Sequence, residues 1–142
     1  MTVPPRFLLD TNVVSELARP RPDPGVAAFM AGAARVAVSV MLFHELEFGC
    51  AILSDPARRS RLIQFVAKAR SRFGPEALPI TLEISEAAAR LRAFAKGEGR
   101  VLTVADALIA ATAMDHGLTL ATRNDRDFAN LGVPILNPFG GG

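Results

Sequence analysis

Four acidic residues stand in this sequence where a carboxylate needs a reason to be. Asp10 ends the apolar run Phe7 to Leu9, and Glu45 lies within the nearly all-apolar stretch Val40 to Leu53. Asp106 comes three residues after Thr103, and Asp127 closes the stretch Arg123-Asn124-Asp125-Arg126-Asp127. Glu45 carries the most information, because Met41, Leu42, Phe48 and Gly49 surround it at helical spacing. An unpaired carboxylate on such a face costs several kcal/mol or shifts its pKa until it is neutral. Glu47 is turned to another side of the same helix and is expected to face solvent or cap local structure.

Each acid also has a structural explanation. Glu45 would be satisfied by a buried pair with one of the arginines. Asp10 before Thr11-Asn12 would start a helix, and Thr103 with Asp106 has the spacing of a capping box. Two acids alternating with two arginines over 123 to 127 would make a solvated loop with surface ion pairs. Taken together, four carboxylates from separate elements meeting at one rim make an oxygen-only site. No cysteine or histidine cluster accompanies them, which suits Mg²⁺ or Mn²⁺ and not Zn²⁺. Such a site activates water and neutralises the charge that builds on a phosphodiester, with two ions ~3.5 to 4 Å apart when both are present. Phosphodiester hydrolysis is the chemistry that follows.

Other chemistries lack their parts. No Gly-x-Ser-x-Gly elbow, phosphate-binding Walker loop or Gly-x-Gly-x-x-Gly turn occurs. His116 is placed at a helix C-terminus, where an imidazolium is favourable for structural reasons, and His44 points away from Glu45 on their helix.

The elements that must position the acids are legible as an alternation of strands and helices. Phe7 to Leu9, Val36 to Ser39, Leu78 to Leu82, Leu118 to Ala121 and Val133 to Leu136 read as strands. Helices are expected over Val13 to Ala18, 24 to 33, Val40 to Leu53, 56 to 73, Ile84 to Lys96 and from Thr103 to His116. The third is so apolar that burial on most sides is expected. Asp23-Pro24 and Ser54-Asp55-Pro56 mark helix starts, and Gly74-Pro75 marks a stop. On the helix of 56 to 73, Arg58, Arg61, Lys68 and Arg72 share an arc beside Leu62, Val66, Ala69 and Phe73. Strands separated by helices, with no hairpin turns, make an α/β fold with a parallel sheet covered on both faces. Ligands of such sheets bind at the carboxyl ends of the strands, where Asp10 and the segment 122 to 127 would lie.

The 142 residues suit one domain, here 1 to 139 with a flexible tail at 140 to 142. Half the residues are hydrophobic and 21% charged, which excludes disorder. The lone Cys50 excludes an intramolecular disulfide and reads as core filler. With no leader-like N-terminus and no stretch of about 20 apolar residues, a cytoplasmic protein without a membrane span is expected. Net charge is +2, but the basic side is fourteen Arg against two Lys. Arginine's planar fork suits phosphate, although GC-rich coding produces the same skew.

Four stretches carry a family resemblance: Leu8-Leu9-Asp10-Thr11-Asn12-Val13, Glu45-Leu46-Glu47-Phe48-Gly49, Ala105-Asp106-Ala107-Leu108-Ile109-Ala110, and Thr122-Arg123-Asn124 with Asp127-Phe128. In order and spacing they resemble the signature motifs of PIN domains, over residues 6 to 139. The likeness is greatest to VapC-type toxins of bacterial toxin-antitoxin pairs, including those whose chain ends in Leu-Asn-Pro and an aromatic, here Leu136-Asn137-Pro138-Phe139. The resemblance implies a three-layer α/β/α sandwich with a five-stranded parallel sheet, a homodimer, and Mg²⁺ or Mn²⁺ held by Asp10, Glu45, Asp106 and Asp127. Asp125 is the alternative fourth acid, and Asn124 stands where some relatives have an acid. Thr11, Asn12 and Thr122 would orient the ligands, while Arg123 and the basic flank of 56 to 73 are candidate phosphate contacts. RNA cleavage and inhibition by a cognate antitoxin are also implied, with operator DNA reached only through the antitoxin.

Two rivals remain at this point. One is a PIN-fold binding module acting mainly through an antitoxin complex on operator DNA. The other is a phosphomonoesterase with Asp10 as nucleophile, which lacks the second acid because position 12 is Asn.

Overall fold

The computed structural model describes residues 4 to 33 and 35 to 140. Its strands are β1 (Phe7–Leu9), β2 (Val36–Ala37), β3 (Thr119–Ala121) and β4 (Ile135–Leu136). The helices are α1 (Thr11–Glu16), α2 (Pro24–Gly32), α3 (Val40–Ile52), α4 (Pro56–Phe73), α5 (Leu82–Gly97) and α6 (Val104–Asp115). The sheet runs in the order β2-β1-β3-β4 and every pairing is parallel.

Strand alternation divides the core in two. Leu8, Ala37 and Leu120 face one side, packing with α5 and α6, while Leu9, Val38 and Ala121 face the other, packing with α1 to α4. Side chains of successive strand residues point to opposite faces, so this short apolar sheet is buried on both sides in an α/β/α sandwich. Small residues on α6 (Ala107, Ala110, Ala111 and Ala113, all within 1% of full burial) let that helix lie close to the sheet.

The sheet has four strands among the described residues rather than five. The strand expected over 78 to 82 shrinks to a single parallel bridge between Leu78 and Ser39, with Leu78 donating to Val38 at 2.8 Å and accepting from Val40 at 3.0 Å. Pro79 has no N–H to extend the ladder, and the Thr81 hydroxyl already caps α5 at Ile84. Burial of α3 on most sides is also not observed. One stripe, Leu42, Leu46 and Cys50, is inside, while Phe48 is 59% and Ile52 65% exposed. Gly74-Pro75 ends α4 as expected, although the chain makes a 3-10 turn over Gly74–Glu76 before leaving. Of the tail expected to be flexible, Gly140 donates its N–H to Asp23, and residues 141 and 142 lie outside the described residues.

β1 lies between β2 and β3, so the chain leaves it to one side first and returns to the other later. The carboxyl ends of β1 and β3 therefore flank a switch point, the place where a parallel sheet opens a crevice for a ligand. Asp10 follows β1, Thr122 follows β3, and the Asp10 N–H donates to the Ala121 carbonyl at 2.9 Å across the seam.

Candidate metal centre

Asp10 is 3% exposed and every hydrogen bond it accepts comes from a neutral donor. Its Oδ1 takes the Thr11 N–H at 2.7 Å, the start of α1, while Oδ2 takes the Thr122 hydroxyl at 2.7 Å and the Asn12 amide at 3.3 Å. Helix capping and site building are thus done by different oxygens of one carboxylate. Burial raises its pKa above the usual 3.8, the bonds from Thr122 and Thr11 pull it back, and the charge of Glu45 pushes it up again.

Glu45 is held by the same short segment. The Thr11 hydroxyl donates to Glu45 Oε1 at 2.6 Å, tying α3 to the start of α1. The arginine partner that would have explained Glu45 structurally is not there: among the described residues no ion pair joins Asp10, Glu45, Asp106 or Asp127 to a basic side chain. Glu45 is half-buried, at the margin of the apolar stripe, because Phe48 on the neighbouring turn faces out. Glu47 is exposed, as expected.

Asp106 sits in the first turn of α6, where its backbone N–H donates to the Thr103 hydroxyl at 3.1 Å. The cap is made by the main chain of Asp106, and Thr103 also acts on its carboxylate. Burial raises the pKa of that carboxylate first, the charge of Asp10 second, and Asp127 adds to the rise, against a lowering bond from Thr103. Asp127 follows Asn124 in a tight turn in which its N–H donates to the Asn124 carbonyl at 3.0 Å. Asp125 does not appear among the charges acting on Asp106.

Electrostatics therefore links the four acids in a chain, Glu45 to Asp10 to Asp106 to Asp127. Among the described residues, no three acid, histidine or cysteine side chains stand close enough as they are to enclose an ion. The donor set still fits a hard divalent cation. It is all oxygen, it includes a buried carboxylate that only neutral groups touch, and like charges raise two of its members.

Asn12 braces the rim, donating to Asp10 and to the Thr122 hydroxyl at 3.5 Å and accepting the Arg123 N–H at 3.1 Å. The basic flank of α4 is elsewhere: no hydrogen bond or ion pair among the described residues connects Arg58, Arg61, Lys68 or Arg72 to the acids. His116 closes α6 and lies 3.8 Å from Asp115, as a structural residue would.

The family model of the PIN domain matches residues 7–134. This chain belongs to the PIN-domain family. "VapC ribonuclease Y4jK" of Sinorhizobium fredii is 36% identical to this PIN domain over 138 residues, covering 94% of the chain and 97% of the relative. "Toxin FitB" of Neisseria gonorrhoeae is 34% identical over 136 residues, covering 94% and 98%. A solved FitAB structure bound to an IR36 DNA fragment shares 32% identity and a TM-score of 0.82, covering 94% of this chain and 96% of the other. Sequence reasoning missed two buried or braced groups of this PIN domain. Glu16, 7% exposed, accepts the Asp23 N–H at 2.8 Å, and Asp23, read only as a helix cap, also receives Gly140. No local pattern marks either contact, since the second spans 117 positions.

Proposed function

We propose that this PIN domain is an endoribonuclease toxin that cleaves RNA phosphodiester bonds with Mg²⁺ or Mn²⁺ held by Asp10, Glu45, Asp106 and Asp127. One observation carries the reading: a buried, arginine-free carboxylate, Asp10, at the switch point of a parallel sheet, within the electrostatic reach of Glu45 and Asp106, with Asp127 acting in turn on Asp106. When bound, the ion supplies Lewis-acid activation of water and offsets the charge that builds on the phosphodiester. Thr122, Thr11 and Asn12 fix the orientation of Asp10, and the Thr11 hydroxyl orients Glu45. Thr103 keeps Asp106 at the first turn of α6, so its carboxylate projects from a rigid element rather than a loop. Asp127 is favoured over Asp125 because its charge reaches Asp106.

The relatives named as a ribonuclease and a toxin support RNA as substrate and a toxin role. A solved toxin-antitoxin complex from Klebsiella pneumoniae, 31% identical with a TM-score of 0.69, supports a cognate antitoxin as partner, and the FitAB structure on DNA supports operator DNA reached through it. A homodimer in the cytoplasm, where its RNA is found, completes the proposal, and no helix of the described residues is long and apolar enough to cross a membrane.

The test is incubation of antitoxin-free protein with total cellular RNA, with and without chelator, followed by mapping of new 5′ ends. Discrete cleavage that needs the divalent ion and disappears in Asp10→Asn supports the nuclease. Absence of metal-dependent cleavage by the wild type, with antitoxin binding intact, leaves a binding module instead.

A further inference from the structure

Arg123 is held in place from three sides, and yet its guanidinium makes no ion pair among the described residues. Its N–H donates to Asn12 Oδ1 at 3.1 Å, and its carbonyl accepts from Asn137 Nδ2 at 3.5 Å. Its guanidinium carbon lies 5.0 Å from the centre of the Phe139 ring. Among the described residues the guanidinium makes no ion pair and donates no hydrogen bond.

Phe139 is itself fixed. Its N–H donates to Asn137 Oδ1 at 2.9 Å, and its ring is half-buried against the core shared by α1 to α4. The next residue, Gly140, turns with φ 80°, a left-handed conformation that suits glycine, and gives its N–H to both Asp23 oxygens at 3.2 Å. Asp23 also accepts the Gly25 and Val26 N–H groups that start α2. Its carboxylate is near enough to feel Arg123, but its oxygens are already engaged by three backbone donors.

A free arginine loses much rotamer entropy when it grips a ligand, and here the Phe139 stack has already fixed one face of the fork. The N–H edge stays open, with the geometry that receives two phosphate oxygens at once. Thr122, the residue before it, donates its hydroxyl to Asp10, and the Arg123 N–H donates to Asn12, which also donates to Asp10, so the main chain of Arg123 is anchored at the acidic rim. We infer that the segment Asn137 to Gly140 is a positioning clasp, in which Phe139 holds Arg123 as the fixed cation that receives an RNA phosphate next to the acidic site. The inference rests on the ribonuclease reading and names the residues that seat its substrate.

The experiment compares wild type, Arg123→Gln, Phe139→Leu, Phe139→Tyr and Asn137→Ala. It measures cleavage and binding of a fluorescein-labelled mixed-sequence oligoribonucleotide over a salt series, with thermal melts of every variant. Phe139→Leu is expected to raise KM about two- to fivefold, the worth of an exposed cation–π contact, with kcat unchanged within about twofold. Phe139→Tyr keeps the stack and behaves as wild type. Arg123→Gln raises KM about tenfold or more and flattens the slope of log affinity against log salt by about 0.7, the signature of one lost single-strand phosphate contact. Asn137→Ala, which leaves the core ring in place, moves KM in the same direction as Phe139→Leu and decides the matter if that variant does not fold.

An unchanged salt slope in Arg123→Gln overturns the phosphate contact. A Phe139→Tyr variant as impaired as Phe139→Leu, or a wild-type KM in both Phe139→Leu and Asn137→Ala, overturns the clasp. Cleavage by the wild type with all variants alike sinks this inference alone, whereas a wild type that neither binds nor cuts RNA sinks the ribonuclease reading with it.

Discussion

The hydroxyl of Thr11 donates to Glu45 Oε1 at 2.6 Å while the N–H of the same residue donates to Asp10 Oδ1 at 2.7 Å. One residue thereby sets the relative placement of two acids that are 35 positions apart in the chain, 10 and 45. Thr11→Val keeps the shape and the main-chain bond but removes the hydroxyl. Cleavage measured across a Mg²⁺ titration should then show apparent metal affinity lower by about 10- to 100-fold. Thr11→Ser should restore most of it, and a wild-type titration curve for Thr11→Val would remove Thr11 from the site.

Asp10 gives the metal-free protein a pH dependence whose sign can be stated. Burial and the Glu45 charge raise its folded pKa above the unfolded value of 3.8, so between those values the folded state binds more protons than the unfolded one. This contribution to stability is fully present below the unfolded value and is lost as pH rises through the folded value. Asp106, raised by burial, Asp10 and Asp127, acts in the same direction. Melting in chelator from mildly acidic to neutral pH should therefore show the wild type losing more stability than Asp10→Asn. Added Mg²⁺ should raise the wild-type midpoint at neutral pH and leave that of Asp10→Asn unmoved. A variant with the same pH slope as the wild type contradicts the assignment.

The fourth acid can be decided by two substitutions in one loop. Asp127 acts on Asp106 electrostatically and Asp125 is not among the groups that do. Asp127→Asn should lower kcat by more than about a hundredfold, as loss of a direct ligand does, while Asp125→Asn should stay within about threefold of wild type. The reverse order in a single-turnover cleavage assay would reassign the ligand.

How much of this was legible beforehand depends on whether the signal is local. Asp55-Pro56 and Gly74-Pro75 bracket α4 in the sequence because caps and breakers act within a turn, and α4 spans Pro56–Phe73. The strand expected at 78 to 82 failed for a reason also written locally: Pro79 and the Thr81 cap leave Leu78 as the one paired position. An apolar run hides orientation, so α3 gave no hint that Leu42, Leu46 and Cys50 face inward while Phe48 and Ile52 do not. The grip of Gly140 on Asp23 leaves no periodicity at all. The acids stood out because a carboxylate beside an apolar strand or in an apolar helix conflicts with its surroundings, and Asp127 is preferred to Asp125 on its match to the family motif rather than on any local physical conflict.

Asp106 offers the sharpest separation of structure from chemistry, because its sequence context reads equally well as a helix cap. The cap bond runs from the Asp106 main chain to the Thr103 hydroxyl, and the carboxylate carries a raised pKa from burial and from Asp10. Thr103→Ala should cost about 1 kcal/mol of stability through the lost cap. Asp106→Asn preserves that bond and removes a like charge beside Asp10 and Asp127, so its metal-free melting midpoint should equal or exceed that of the wild type. Its metal-dependent cleavage should fall by about a hundredfold or more. If Asp106→Asn instead loses stability to the extent of Thr103→Ala and retains cleavage, the carboxylate is a cap and the site has one ligand fewer.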